Sequence, residues 1–401
     1  MRVLYISDVF FPRVNGVSTS IRTFREDLAR CGVETVLVAP QYGPEGAASQ
    51  PGVIRVPSAR VPGDAEDRRM RWRALERALD GLGGVPLDLV HVHTPFVAHY
   101  AGVRFARRRR IPCVATYHTF FEEYLHHYVP ALPRPLGRVL ARAFTRSQCA
   151  DVGALIAPSD PLRQVLLGYG VATPVHVIPT GLPPDRFTPG DGARFRRREG
   201  LSPERPLLTY IGRVAHEKNI EFLLHVLAEV RRAEPRAMLV IAGEGPAREP
   251  LRRQAAALGL ADHVHWCGYL ERDSALLDCY AAASVFVFAS RTETQGLVLL
   301  EAMAQGIPVV STAELGARSV LVPGSGALVA EERVEEFAAL VGRVLKDEPL
   351  RRDASERVRA HARGWSSAAM AARLSGLYAS LIADSPRARR TLVPASAGPG
   401  E

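Results

Sequence analysis

Short, β-rich apolar runs punctuate the chain at regular distances. In the first half they are RVLYIS, TVLVAP, DLVHVHT, PCVATYH, VGALIAPS and VHVIP; the second half adds PLLTYIG, AMLVIAG, VHWCG, SVFVFAS and IPVVS. Most are continuous apolar stretches rather than strict alternations, as expected of strands buried on both faces. Helical spacing fills the gaps, for example over residues 21–31 and 221–233. Strands alternating with helices predict right-handed crossovers and parallel sheets covered on both sides. The alternation restarts after residues 178–192, IPTGLPPDRFTPGDG, a segment rich in proline and glycine that reads as an interdomain linker. The expected fold class is α/β, with two doubly wound, Rossmann-like domains over residues 1–183 and 184–364, and a disordered tail over 385–401. Ligands of such sheets bind at the carboxyl ends of the strands, so chemistry is expected in a deep cleft between the domains.

Composition acts mainly by exclusion. A chain of 401 residues is too long for one ordinary core, which agrees with two domains. The start, MRVLYISDVFFPRVNGV, meets Asp8 early and lacks a cleavage site, so it reads as a first strand rather than a signal peptide. No apolar run reaches the roughly 18–20 residues of a spanning helix. Cys31, Cys113, Cys149, Cys267 and Cys279 are odd in number and form no CxxC pair, which indicates neither a disulfide frame nor a structural zinc and fits a reducing cytoplasm. Net charge is +9, almost all of it arginine, since Lys218 and Lys346 are the only lysines. Such a balance admits an anionic substrate, an anionic membrane or nucleic acid without choosing among them.

Candidate chemistry lies in the loops at the strand ends. Asn15 and Gly16 stand where the first helix must begin; they read either as an ordinary Asn-Gly turn or as a place where a phosphate or sugar nears backbone N–H groups. In YIGRVAHEKN, Arg213 and Lys218 sit at the mouth of a strand–loop–helix unit, where they could neutralise a diphosphate. IAGEGP, with Gly243 and Gly245, and WCGYL, with Tyr269, close two further strands and are weak signals alone. SVFVFAS predicts a buried strand, so Glu293 lies in the loop after it, and Thr294, Gln295, Gly296 and Leu297 open the next helix. Glu301 falls further along that helix, eight residues after Glu293, and suits the two hydroxyls of a ribose, or else is a buried, paired acid.

Together, Glu-x7-Glu, GRVAHEKN, GEGP, the NGV loop and EAMAQGIPVVST resemble a retaining glycosyltransferase of family 4, with the GT-B fold, over residues 1–383. The resemblance implies a nucleoside diphosphate sugar donor, UDP- or GDP-linked. It puts Arg213 and Lys218 on the diphosphate, Glu301 on the ribose, Glu293 on the sugar or phosphates, and His118 of ATYHTFFEEY against the donor sugar. It also implies that a C-terminal helix near residues 365–384 packs back on the first domain. Front-face attack, with the departing phosphate deprotonating the acceptor, needs no protein nucleophile. No Asp-x-Asp pair occurs, so cationic side chains and helix N-termini are expected to neutralise the diphosphate, with neither metal nor pyridoxal phosphate as cofactor.

Gln295 in RTETQGLVLLEAM, together with HTPF and TYHTFFEEYLHHYV, is similar to the bacterial and plastid enzymes that glycosylate diacylglycerol, and implies a lipid acceptor. Phe121 and Tyr124 fall in that segment. In PRPLGRVLARAFTRSQCA, Arg134, Arg138, Arg142 and Arg146 recur four apart on one helical face, with Leu136, Val139, Leu140, Ala143 and Phe144 opposite. Such a helix either lies in an anionic membrane interface or packs on its own sheet with a solvated arginine face. The expected location is the inner face of the plasma membrane, peripherally bound. Remaining readings are the same enzyme class with a polyprenyl-linked or soluble glycan acceptor, a GT-B epimerase or phosphorylase, and a basic nucleic-acid-binding protein. The last predicts stacking aromatics amid the arginines, and only Phe144 is there, on the wrong face.

Overall fold

A computed structural model describes residues 1–43, 50–61, 64–118, 134–271 and 274–385, with backbone alone for 64–67 and Arg134. The chain forms two compact units, one of Met1–Thr180 with the segment from Ser367 onward, the other of Gly181–Ser366.

Unit 1 opens with β1 (Arg2–Ile6), α1 (Gly16–Arg30), β2 (Glu34–Pro40) and β3 (Val53–Val56). A hairpin of β4 (Ser58–Val61) and β5 (Asp64–Met70) leads to α2 (Trp72–Asp80), β6 (Leu89–Val92) and α3 (Val97–Arg109). Then come β7 (Cys113–Thr116), α4 (Arg134–Ala150), β8 (Ala154–Ala157), α5 (Asp160–Gly168) and β9 (Val175–Val177). The sheet runs β3-β2-β1-β6-β7-β8-β9, and its paired strands are parallel. Both faces are buried, which is why β1 lacks polar alternation: Val3 and Tyr5 enter one core, Leu4 and Ile6 the other. Antiparallel β4–β5 escaped expectation because residues 58–70 are charge-rich and carry no apolar run.

Unit 2 comprises α6 (Gly192–Arg198), β10 (Leu207–Ile211), α7 (Ile220–Ala233), β11 (Met238–Ala242) and α8 (Arg248–Ala257). It continues with β12 (Val264–Gly268), α9 (Ser274–Ala282), β13 (Val285–Phe288), α10 (Leu297–Ala304) and β14 (Val309–Ser311). It ends with α11 (Ala317–Val320), β15 (Leu328–Val329), α12 (Val334–Lys346) and α13 (Glu348–Arg363). Strand order is β12-β11-β10-β13-β14-β15, all parallel. The order reverses between β10 and β13, the switch point at which ligands of doubly wound sheets bind.

Residues 184–192 are not the loose linker their composition suggests. Gln305 Nε2 donates to the carbonyls of Arg186 and Thr188 at 2.7 and 2.9 Å, Gly190 N donates to Gln305, and Asp191 N donates to Asp278 at 2.7 Å. Gly190 packs so closely on the Leu277 carbonyl that a Cβ would sit 2.2 Å from its oxygen. Proline and glycine here serve tight packing on unit 2. After α13 the last described helix, α14 (Ser367–Ala383), joins unit 1 and packs on α1, with Ala371, Leu374, Leu377 and Tyr378 in the core.

Candidate active site

In unit 2 the sheet brings Arg213, Lys218 and Glu293 to the switch point. Lys218 follows β10, Glu293 follows β13, and Lys218 Nζ donates to Glu293 Oε2 at 2.9 Å with both side chains about four-fifths buried. Arg213, also after β10, is half-buried, and its carbonyl accepts from the Tyr210 hydroxyl at 3.0 Å. Burial, with Glu293 and Glu217 nearby, pushes the Tyr210 phenol well above its ordinary range, so it stays a hydrogen-bond donor. Asn219, at φ 55°, turns the chain from this loop into α7.

Gly243 and Gly245 are required by backbone packing. A Cβ on Gly243 would lie 1.9 Å from Gly212 O, and one on Gly245 2.3 Å from Val214 O. The loop after β11 is thereby zipped to the Arg213 loop, with Val214 N donating to Glu244 O at 2.9 Å. Their service to the site is to fix the backbone that carries Arg213. Tyr269 is exposed.

The Glu293 loop is equally constrained. Gly316 N donates to Glu293 O at 2.8 Å, and the Gly316 Cα lies so near Thr294 that a Cβ would meet its carbonyl oxygen at 2.1 Å. Gln295 is buried, Gly296 takes φ 96° as the residue before α10, and Leu297 begins the helix. Glu301, expected to face a ligand, is 3 % exposed and accepts from the Tyr280 hydroxyl at 3.0 Å. The structure thus gives it a protein partner. Two groups escaped sequence reasoning: Ser290 Oγ and Thr312 Oγ1, buried at the ends of β13 and β14 without a hydrogen-bond partner among the described residues. Serine and threonine after a strand are too common to signal this.

A cavity of about 560 Å³ in unit 2 opens instead at the amino ends of the strands, lined by Arg196, Arg205, Pro308 and Arg351, and gathers none of these residues. Arg196 and Arg351 there already donate to backbone carbonyls. Elsewhere Glu199, His265 and Cys267 bring donor atoms within 4.8 Å of one another, the one metal-like cluster among the described residues. Burial pushes the Glu199 carboxyl up, but hydrogen bonds from His265 and Arg198 overcome it and hold the acid low. With both carboxylate oxygens taken and the Cys267 thiol pushed by burial to about 12, the cluster is a satisfied ion-pair network.

In unit 1, Asn15 caps α1: its side chain accepts from Ser18 N at 2.8 Å. That is the turn-and-cap role, whereas Gly16 is exposed, and a Cβ added there would meet nothing within 4 Å. Asp8, after β1, accepts from Thr94 Oγ1 and Ala98 N, yet burial raises its carboxyl to about 6. His118, after β7, is half-buried, and burial lowers its imidazole to about 4.

Helix α4 has three faces rather than two. Gly137, Ala141, Thr145, Gln148 and Cys149 pack inward; Arg138, Arg142 and Arg146 flank them; Leu136, Val139, Leu140 and Phe144 are 36–63 % exposed. Small residues, not the apolar stripe, face the domain. Arg142 also stacks over Tyr169, 5.1 Å from the ring centroid. Phe121, Tyr124 and the Arg134 side chain lie outside the described residues. Among those described, no helix is long and apolar enough to cross a membrane.

The chain is similar to known proteins in sequence and in fold. Residues 14–186 match "Glycosyltransferase Family 4", and residues 191–361 match "Glycosyl transferases group 1". The alpha-monoglucosyldiacylglycerol synthase of Streptococcus pneumoniae is 34 % identical over 319 residues, 78 % of this chain and 71 % of that protein. A GDP-mannose-dependent alpha-mannosyltransferase of Mycobacterium tuberculosis is 29 % identical, over 80 % of this chain and 82 % of that one. Among solved structures, the sucrose-phosphate synthase of Thermosynechococcus elongatus superposes with a TM-score of 0.78 at 21 % identity, covering 96 % of this chain and all of that one. The chain belongs to the family 4 glycosyltransferases, enzymes of the GT-B fold that take a sugar from a nucleotide donor.

Proposed function

We propose that the chain moves a hexose from a UDP- or GDP-linked sugar, with retention and without a metal ion, onto a membrane lipid, either diacylglycerol or a glycosyl-diacylglycerol. The observation that carries this is the Lys218–Glu293 pair beside Arg213 at the unit 2 switch point. Two cations at that point suit a diphosphate, and the amino end of α10, residues Thr294 to Leu297, adds N–H groups for the departing phosphate. Glu293 holds the Lys218 ammonium in place until a diphosphate takes it, and is then released toward the sugar. Glu301, with Tyr280 as one donor, takes a ribose hydroxyl as another. Gly16 and His118 in unit 1 serve the donor, His118 at the sugar. Lipid as acceptor is supported by the likeness to an alpha-monoglucosyldiacylglycerol synthase and by the exposed apolar stripe of α4 with its arginines, which suits peripheral attachment to an anionic inner leaflet. No nucleic acid is involved.

The test incubates the full chain in chelator with UDP-glucose, UDP-galactose and GDP-mannose, with and without diacylglycerol vesicles, and scores the nucleotide released. One nucleotide should be released only with the lipid present, and Arg213→Ala or Lys218→Ala should each slow release on the order of 10² or more. Dependence on magnesium, or near-normal rates in both variants, would sink the donor assignment. Release triggered by a soluble or polyprenyl-linked glycan instead would favour the second reading, which the mannosyltransferase likeness keeps in view.

A further inference from the structure

In unit 1 two buried histidines, His91 and His93, join the last helix to the half-buried His118. Tyr5 OH lies 2.8 Å from Tyr378 OH of α14, and Tyr378 OH lies 2.5 Å from His91 Nδ1. His91 Nε2 is 2.7 Å from Thr116 Oγ1, so both its nitrogens are engaged and its ring cannot turn. That ring leans on His93 at a tilt of 31° with centroids 4.0 Å apart, and the ring of Tyr5, on β1, lies 4.5 Å from that of His93. His93 Nδ1 then meets His118 Nε2 at 3.4 Å, a long contact of the kind that tightens when a substrate is bound.

The proton on that contact can be assigned. His93 is 1 % exposed, and its Nε2 is buried with no partner among the described residues. A bare lone pair in a dry site is less costly than an orphaned N–H, which folded proteins rarely tolerate. His93 therefore keeps its single proton on Nδ1 and donates it to His118. We propose that His93, held in place by His91 and through it by Tyr378, is a positioning residue that fixes His118 as the tautomer with its proton on Nδ1. His118 then offers a donor N–H, not a lone pair, from its other nitrogen. This rests on the reading of His118 as a contact of the donor sugar; a hydroxyl or phosphate oxygen is the acceptor that such an N–H requires. Burial keeps all three rings uncharged at neutral pH, so the arrangement transmits orientation rather than charge.

The experiment uses the full chain labelled with 15N-histidine. Wild-type His118 should show a protonated Nδ1 and a bare Nε2. His93→Phe keeps an aromatic ring in that place and removes the donor; it should leave His118 as a tautomer mixture and lower kcat on the order of tenfold or more, with donor KM little changed. His93→Asn restores an amide N–H near the Nδ1 position and should recover most of both signals. An Nε2-protonated His118 in the wild type overturns the proposal. So does a folded His93→Phe with full kcat, or an Asn variant no better than Phe. If His118→Ala itself keeps full turnover, it is the sugar-contact reading of His118 that fails, and the tautomer spectrum still reports on His93 separately.

Discussion

A lysine and a glutamate 75 residues apart in sequence meet at 2.9 Å, and the meeting is legible only in part before folding. Each loop position was readable, because both follow buried strands. Their pairing was not, because strand order decides which loops are neighbours. Gly243 and Gly245 show the opposite limit: sequence marks them as special but not why, and a neighbouring backbone occupies the missing side-chain space. The buried histidines carry a stability prediction at this scale. His118, with an ordinary value of 6.5 lowered to about 4, binds fewer protons folded than unfolded between those values, and His91 and His93 are lowered likewise. Their part of the stability is complete above about pH 6.5 and is lost as the pH falls toward 4. Asp8, raised from 3.8 to about 6, works in the opposite direction and offsets some of that loss. Thermal melts should therefore fall from pH 7.5 to pH 5, and His93→Phe should flatten the fall. An equal slope in wild type and variant would show that His93 takes no part.

At the scale of elements, α4 shows how far periodicity reaches. Four-residue spacing correctly puts Arg138, Arg142 and Arg146 together, and it separates them from Leu136, Val139, Leu140 and Phe144. It cannot say which face the domain covers. The answer lies in small residues that no hydrophobic pattern flags: Gly137 and Ala141 are buried, while the apolar stripe stays outward. An outward apolar stripe beside arginines predicts two separable contributions to vesicle binding. Arg138→Ala with Arg142→Ala should weaken flotation on anionic vesicles in a salt-sensitive way. Leu140→Ser with Phe144→Ser should weaken it with little salt dependence, while turnover on detergent-dispersed lipid is retained. Undiminished flotation of both double variants would remove α4 from the membrane contact.

At the scale of the molecule, the parallel sheets were readable from the recurrence of apolar runs, whereas the β4–β5 hairpin was not, since paired charged strands have no apolar signature. Unit 1 takes its last helix from residues 367–383, and Tyr378 there is fully buried against Tyr5 and His91. A chain stopped after Ser366 should keep the unit 2 melting transition and lose or markedly lower that of unit 1; retention of both transitions would show that α14 is dispensable. The same discontinuity orders events on the ribosome. Synthesis at roughly 5–20 residues per second leaves on the order of tens of seconds between the emergence of Thr180 and that of Tyr378. Throughout that interval the nascent first lobe has every strand of its sheet but an open apolar groove along α1, with the Tyr5 hydroxyl and a His91 nitrogen lacking their partner. The second lobe, contiguous in sequence, can finish before the first is closed, and a holdase that shields the waiting groove would have its natural window there.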